Sequence, residues 1–153
     1  MAVIGAAEAS DSQYSDAESL GRALAEAGAA VVCGGYGGVM EAVARGAAEA
    51  GGLTVGILRG MRAGDANPWI RVPLPTGLGE ARNALVVAGA ESAVAVGGEW
   101  GTLSEIALAK KMGLDVGTLG VPPAEGLGLP ALPDPGTAAL WALERAAAYR
   151  EGG

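Results

Sequence analysis

The feature that most constrains the fold is an alternation of short, almost wholly apolar runs with longer segments of helical periodicity. The apolar runs predict strands, and a further short strand is predicted at residues 70–73. Because these runs are apolar at nearly every position, the strands are expected to be buried on both faces, as in a parallel sheet covered by helices. The main runs span residues 2–4, 29–33, 54–58, 93–96 and 116–119.

Helical patterns fill the intervals between these runs. They are predicted at residues 16–27, 39–50, 79–90, 102–112 and 137–150. Residues 122–135 contain five prolines and are predicted to form an extended crossing segment. The β-α alternation predicts an α/β protein with a three-layer, Rossmann-like, doubly wound parallel sheet, and residues 1–153 are predicted to form a single domain.

Composition excludes several classes of chemistry. The chain has no histidine, which rules out a Ser-His-Asp triad and a His-ligated zinc site, and its single cysteine, Cys33, is predicted to be a buried apolar residue. No metal site is predicted. The formal net charge is −7, so a nucleic-acid partner is not expected.

The same sequence predicts no membrane partner and a cytoplasmic location. No apolar run approaches the roughly 20 residues that a membrane span needs. The first residues lack the basic segment of a signal peptide.

Four loops at predicted strand ends or helix starts are candidate binding segments: residues 5–10, 34–38, 75–79 and 97–102. Glycine lets the backbone approach a ligand, and a helix N-terminus offers free N–H groups to a phosphate. The alternative is that the glycines only form tight turns between strand and helix. Neither the G-x-G-x-x-G dinucleotide fingerprint nor a G-x-x-x-x-G-K-[ST] P-loop is present.

Two glycine motifs carry a family resemblance. Residues 97–105, G-G-E-W-G-T-L-S-E, resemble the P-G-G-x-G-T-x-x-E motif of the LOG-like, or lysine decarboxylase-like, family, and residues 34–40, G-G-Y-G-G-V-M, resemble its G-G-G-x-x-G-x-M motif. Arg82 lies between the motifs, as in that family. The segments 38–42, 82–83 and 101–105 are closer still to the branch grouped with molybdenum cofactor carrier proteins. The resemblance covers roughly residues 2–120.

The resemblance implies a homodimer or higher homo-oligomer that binds a small phosphorylated ligand. In a carrier-like protein this ligand would be a nucleotide or the molybdenum cofactor. In a LOG-like enzyme, Arg82 and Glu105 would cleave the N-glycosidic bond of a nucleoside 5′-monophosphate, with no cofactor required. The predicted binding residues are Gly5, Gly34, Gly35, Gly37, Gly38, Met40, Glu41, Asn83, Gly97, Gly98, Gly101 and Thr102.

Pyridoxal-dependent lysine decarboxylation is not expected, because Lys110 and Lys111 both fall within a predicted helix rather than at a strand end. Three departures from the LOG pattern favour the carrier-like branch. Gly97 replaces proline, Glu99 replaces glycine, and Glu41 stands where LOG enzymes usually carry glycine.

Several candidate residues also have structural interpretations. Thr102 and Glu105 fit an S/T-x-x-E capping box. Arg82 could be a solvated surface residue, or could pair with Glu105 instead of a phosphate. Glu41 suits the helix dipole of a first turn. An aromatic ring at Tyr36 could stack on a base or pack at a subunit contact.

Overall fold

A computed structural model describes residues 1–152 of the chain, and Gly153, the last residue of the predicted domain, lies outside the described residues. The strands are β1 (Ala2–Gly5), β2 (Val31–Cys33), β3 (Thr54–Leu58), β4 (Val72–Pro75), β5 (Ala93–Val96), β6 (Val116–Leu119) and β7 (Ala131–Leu132). The α-helices are α1 (Asp11–Glu26), α2 (Val39–Glu49), α3 (Asn83–Ala88), α4 (Trp100–Lys111) and α5 (Pro135–Glu151), with 3-10 turns at Ala63–Asp65 and Gly79–Arg82.

The seven strands of residues 1–152 form one sheet in the order β4-β3-β2-β1-β5-β6-β7, and every pair is parallel. The chain builds outward in one direction from β1 to β4, then returns to the other side of β1 with β5. The topological switch point therefore lies between β1 and β5, where Ile4 is in register with Ala95 and Gly5 with Val96. The predicted doubly wound parallel sheet is confirmed.

The side chains of alternate strand residues enter two separate cores. Val3 and Val94 pack in one core with residues of α1, α2 and α5. Ile4 and Ala95 pack in the other with Val86 of α3 and residues of α4. This alternation, which follows from the period-2 geometry of a strand, produces the predicted three layers.

Helix α1 begins earlier than predicted, at Asp11 rather than residue 16. Ser10 is its N-cap, where the Gln13 N–H donates to Ser10 Oγ at 3.3 Å and the Ser10 N–H donates to Gln13 Oε1 at 3.0 Å. This reciprocal capping box satisfies two helix-terminal donors and fixes the start of the helix. Ser10 and Gln13 are thereby both engaged in capping the helix.

Three other segments also differ from prediction. The extended segment 122–135 contains the short strand β7, which lies beside β6 through a hydrogen bond from the Thr118 N–H to the Pro130 carbonyl at 2.9 Å. Strand β4 lies two residues later than predicted. The predicted helix 79–90 is a 3-10 turn followed by the short helix α3.

Helices α1 and α2 approach each other at backbone distance through two glycines. A Cβ atom added at Gly21 would overlap the Val43 carbonyl, and one at Gly46 would overlap the Glu18 carbonyl. The absence of both side chains allows α2 to lie close against α1, which positions the start of α2 at the carboxyl edge of the sheet. Within residues 1–152, no helix has the length and apolarity required to span a membrane.

Candidate functional site

A cavity of about 410 Å³ opens at the carboxyl edge of the sheet, beside the β1–β5 switch point. Its wall is formed by the ends of β1, β2 and β3, the start of α2, the turn leading into α3, and the first turns of α4. Ligands of open α/β sheets bind at this position because parallel strands end there and the loops diverge on either side.

The structure brings part of the predicted site together in this cavity. Its wall includes Gly5, Gly34, Met40, Arg82, Asn83, Gly101, Thr102 and Glu105. The other predicted binding residues, which lie outside the wall, are Gly35, Gly37, Gly38, Glu41, Gly97 and Gly98. The two predicted catalytic residues therefore share one cavity with residues from three of the four candidate loops.

Glycines outside the wall shape the loops that form it. Gly35, at φ +80°, packs where a Cβ atom would meet Leu58 Cδ2 at 2.6 Å. Gly38, at φ +62°, lies against the carbonyls of Ala6 and Ala7. For these two positions the tight-turn interpretation describes the geometry: glycine permits the left-handed backbone and the close approach of neighbouring loops.

Glu41 lies on the first turn of α2 and is half-buried. Its Oε1 accepts a hydrogen bond from the Tyr14 hydroxyl at 3.3 Å, which ties α2 to α1. A carboxylate in this turn also suits the positive end of the helix dipole. The structure thus gives Glu41 a packing role away from the cavity.

Arg82 is buried, with 6% of its surface exposed. Its Nε and Nη1 atoms have no hydrogen-bond partner, and among residues 1–152 no carboxylate forms an ion pair with it. Gly34 provides the space for this side chain, because a Cβ atom there would overlap Arg82 Nη1. The solvated-surface interpretation of Arg82 is wrong, and so is its direct pairing with Glu105.

Glu105 is buried on α4, with 7% of its surface exposed. Burial raises the pKa of this carboxyl to about 7; the nearby guanidinium of Arg82 opposes the shift, and the carboxylate of Glu80 adds to it. A carboxyl with this pKa exchanges its proton close to neutral pH. It can hold a proton or release one as its surroundings change.

The capping-box interpretation of Thr102 and Glu105 is wrong. Helix α4 begins at Trp100 with Glu99 as its N-cap, so Thr102 is already inside the first turn. The Glu99 side chain makes no capping hydrogen bond. Gly98 leaves room for Thr102, because a Cβ atom at Gly98 would overlap the Thr102 side chain. Thr102 and Glu105 consequently both lie on the cavity wall without serving as a cap.

Asn83 connects the two helices on its side of the sheet. Its Nδ2 donates to Ser104 Oγ at 2.9 Å, and the Ser104 hydroxyl donates to the Gly101 carbonyl at 2.7 Å. This chain fixes the start of α4 against the start of α3. Asn83 therefore helps to hold Arg82 and Gly101 in the same wall.

Two further wall residues bear on ligand binding, and of these Arg59 was not predicted from the sequence. Arg59 directly follows β3, and its Nη1 lies 3.1 Å from Oε1 of Glu80, which is in the turn before α3. The available signal was the position of Arg59 at a strand end next to β2. Tyr36, for which base stacking or packing was left open, also lines the cavity, and the guanidinium carbons of Arg59 and Arg82 lie 5.0 Å and 5.7 Å from its ring centroid.

Acidic side chains surround these two arginines. Glu8, Glu80 and Glu99 are exposed residues of the cavity wall, while Glu105 is buried within it. Lys110 and Lys111, in contrast, are exposed in the last turn of α4 and do not line the cavity. The deep part of the cavity combines one unpaired cation with one carboxyl of raised pKa.

Comparison with known proteins supports the resemblance found in the sequence. A sequence model of the SLOG cluster4 family matches residues 1–130. An uncharacterized protein of Archaeoglobus fulgidus is 43% identical over 121 residues, which is 78% of this chain and 79% of that protein.

Solved structures with the same architecture have lower sequence identity. The molybdenum cofactor binding protein of the phototrophic bacterium Rippkaea orientalis is 30% identical, with a TM-score of 0.86 over 94% of each chain. The molybdenum cofactor carrier protein of Chlamydomonas reinhardtii is 31% identical, with a TM-score of 0.85 over 95% of this chain and 96% of its own. These similarities confirm the Rossmann-like fold.

Proposed function

This chain belongs to the SLOG cluster4 family, and we propose that it binds a nucleotide or a nucleotide-containing small molecule through an anionic group at Arg82. The observation that carries the proposal is the buried guanidinium of Arg82, whose Nε and Nη1 atoms lack partners beside the cavity. A buried cation without a counter-ion is costly, and a phosphate would supply both the charge and the acceptors.

The start of α4 supports the same proposal. The Leu103 N–H donates to the Glu99 carbonyl at 2.9 Å, and the amides before it have no acceptor in a preceding helical turn. Gly101 and Thr102, which carry two of these amides, are wall residues. Backbone N–H groups and the helix dipole favour an anion at this place.

Of the two structural neighbours named above, one is a molybdenum cofactor binding protein and the other a molybdenum cofactor carrier protein. As cargo, that cofactor would present its phosphate group to the same unpaired guanidinium. Arg82 and the start of α4 fit such a group, while the aromatic ring of Tyr36 provides a flat surface for a heterocycle.

The experiment that tests this proposal measures ligand affinity by calorimetry, with AMP and inorganic phosphate as probes. Arg82→Gln should abolish measurable binding of both, whereas Arg62→Gln should not, because Arg62 is exposed and pairs with Asp65 outside the cavity wall. Equal affinities in wild type and Arg82→Gln would contradict the proposal.

A second candidate function is hydrolysis of a nucleoside 5′-monophosphate to free base and ribose 5-phosphate. The observation that favours it is the carboxyl of Glu105, whose pKa is raised to about 7 next to the cavity. A carboxylate there would stabilise the oxocarbenium-like transition state or activate water for attack on the anomeric carbon.

The hydrolase hypothesis is tested by incubating the protein with a panel of nucleoside monophosphates, including a cytokinin ribotide, and quantifying the free base. Base release that collapses in both Glu105→Gln and Arg82→Gln would support it. Binding of the monophosphates without release above the blank would leave only the binding function.

We further propose that the protein is a homo-oligomer, as the family resemblance implies. Several large apolar side chains are exposed in the stretch of chain from β4 to α3: Val72 and Leu74 on β4, Leu78 before the 3-10 turn, and Leu85 on α3. Light scattering coupled to size-exclusion chromatography checks this. A mass equal to a single chain would contradict it.

A further inference from the structure

Arg59 is held at the cavity wall by contacts at both ends of the residue. Its backbone N–H donates to the Tyr36 hydroxyl at 3.0 Å, and the Gly60 N–H donates to the same oxygen at 3.3 Å. Its guanidinium lies over the Tyr36 ring, 5.0 Å from the centroid, and Nη1 pairs with Glu80 Oε1 at 3.1 Å. Tyr36 therefore positions both the backbone and the charge of Arg59.

The same tyrosine ring lies next to a second guanidinium. Arg82 Cζ lies 5.7 Å from the Tyr36 ring centroid, and Arg59 Cζ lies 5.0 Å from it. The distance between the two Cζ atoms therefore cannot exceed the sum of these two distances. Two cations this close repel each other, and an anion between or beside them offsets this repulsion. The wall thus presents a pair of positive charges to one ligand.

The two arginines differ in their counter-ions. Arg82 is buried and unpaired, whereas Arg59 is paired with a glutamate whose side chain is 70% exposed. Exposed ion pairs contribute little to stability, because water solvates both partners well when they separate. An anionic group of a ligand could therefore replace the Glu80 carboxylate at small cost.

We propose that Arg59 is a second anion-binding group of this cavity and that Glu80 is an internal counter-ion, which the second anionic group of a ligand displaces. This inference rests on the proposed binding of a first anionic group at Arg82. It specifies the ligand class further: a molecule with two anionic groups close together, of which a nucleoside diphosphate is the simplest nucleotide example.

A purely structural role for the Arg59–Glu80 pair would be to tie the loop after β3 to the turn before α3. The two roles differ in their consequences for binding. A structural tie predicts that removing either partner loosens the loop and weakens the binding of every ligand. A displaceable counter-ion predicts opposite effects for the two partners, restricted to ligands with a second anionic group.

The experiment measures the affinities of AMP, ADP, inorganic phosphate and pyrophosphate by calorimetry in magnesium-free buffer. Glu80→Gln is expected to raise the affinities for ADP and pyrophosphate about three- to fivefold, since the competing carboxylate is lost. The affinities for AMP and phosphate should stay within about twofold of those of the wild type. Arg59→Gln is expected to lower the affinity for ADP to that for AMP. The double variant should match Arg59→Gln alone.

Arg62→Gln serves as the matched control, because this arginine lies in the same loop and pairs with Asp65 but does not line the cavity. Its affinities should equal those of the wild type. Thermal unfolding of each variant checks that the fold is retained, which is expected for side chains as exposed as those of Arg59 and Glu80.

The outcomes separate this inference from the function on which it rests. If AMP binds in an Arg82-dependent manner but Glu80→Gln does not tighten ADP, Arg59 is not an anion subsite and the proposed binding function stands. A gain from Glu80→Gln that persists in the double variant would also overturn the inference. If none of the four probes binds the wild type, both proposals are overturned.

Discussion

At the scale of single residues, Arg82 is expected to reduce the stability of the ligand-free protein. Leaving a buried polar group without a partner costs roughly 1–3 kcal/mol, while the cation–π contact with Tyr36 returns about 1 kcal/mol. Arg82→Met replaces the guanidinium with a shorter, unbranched apolar side chain and removes the buried charge. We expect it to raise the free energy of unfolding by about 1–2 kcal/mol and to abolish AMP binding.

Urea denaturation of the ligand-free proteins measures this difference in stability. Arg82→Lys is the informative comparison, because it retains a charge in the same surroundings and should not gain the stability of the methionine variant. A methionine variant that is less stable than the wild type would show that the packing of the guanidinium outweighs its desolvation.

Glu105 should make stability depend on pH. Its folded-state pKa of about 7 lies above the ordinary value of 4.5, so the native state holds this proton more tightly than the unfolded chain. Its contribution is fully present below pH 4.5 and is lost as the pH rises through 7. A shift of this size corresponds to an upper limit of roughly 3 kcal/mol.

Glu105→Gln should remove this dependence, because an amide does not ionise. The free energy of unfolding of the variant, relative to the wild type, is expected to rise between pH 4.5 and pH 8. Any change in packing caused by the amide would shift the variant equally at every pH. Stability curves that run parallel over this range would therefore contradict the raised pKa.

At the scale of secondary-structure elements, the contact between α1 and α2 depends on two glycines. A Cβ atom at Gly46 would overlap the Glu18 carbonyl, and because backbone cannot rotate away, the helices would have to separate. We expect Gly46→Ala to lower the free energy of unfolding by about 1–3 kcal/mol, as measured by denaturation.

Gly101→Ala is the matched control for this prediction. Gly101 is also helical, but a Cβ atom there would meet nothing within 4 Å. Alanine is the better helix former, so this variant should gain about 0.5–1 kcal/mol. Equal effects of the two substitutions would show that helix propensity, rather than the distance between the helices, determines the effect of alanine at Gly46.

The elements that were predicted correctly are those with strong local patterns. Runs such as Thr54–Leu58 and Ala93–Val96 are apolar enough to require burial on both faces, and this requirement alone leads to a parallel sheet between helices. Strand β7 has only two residues between prolines, too few for any periodicity. Its pairing with β6 arises from tertiary packing, in which Leu132 fills the space beside Gly117.

The start of α4 shows why a local motif can mislead. Thr102 and Glu105 have the spacing of a capping box, but Gly97 and Gly98 both adopt positive φ and turn the chain into the helix at Trp100. The start of the helix was therefore set by residues upstream of the motif. The sequence of α1 held a true capping box, at Ser10 and Gln13, which the apolar pattern did not reveal.

The candidate site was predictable where parallel strands bring glycine loops to one edge. Arg82, Glu105 and Gly34 do meet in the cavity, as the family resemblance implied. The absence of a direct Arg82–Glu105 pair could not be predicted, because it depends on the relative positions of α3 and α4. Arg59 was overlooked because its loop has no glycine cluster, although it lies at the same edge of the sheet.

At the scale of the whole molecule, the net charge opposes the binding of an anion. The chain carries a formal charge of −7, and three of the exposed wall residues are glutamates. If the proposed ligand is an anionic nucleotide, it is repelled at long range and attracted only close to the arginines of the cavity. Added salt screens the long-range repulsion, since the Debye length falls from about 30 Å at 0.01 M to about 8 Å at 0.15 M.

We expect the association rate of AMP to rise with ionic strength, by about two- to threefold over this range, instead of falling as it does for basic binding proteins. Stopped-flow measurements with a fluorescent AMP analogue would give this rate. The double variant Glu26→Lys, Glu125→Lys reverses two exposed charges that do not line the cavity, and should associate faster and with a weaker salt dependence. An association rate that falls with salt would mean that the arginines of the cavity, and not the net charge, dominate the field that the ligand meets.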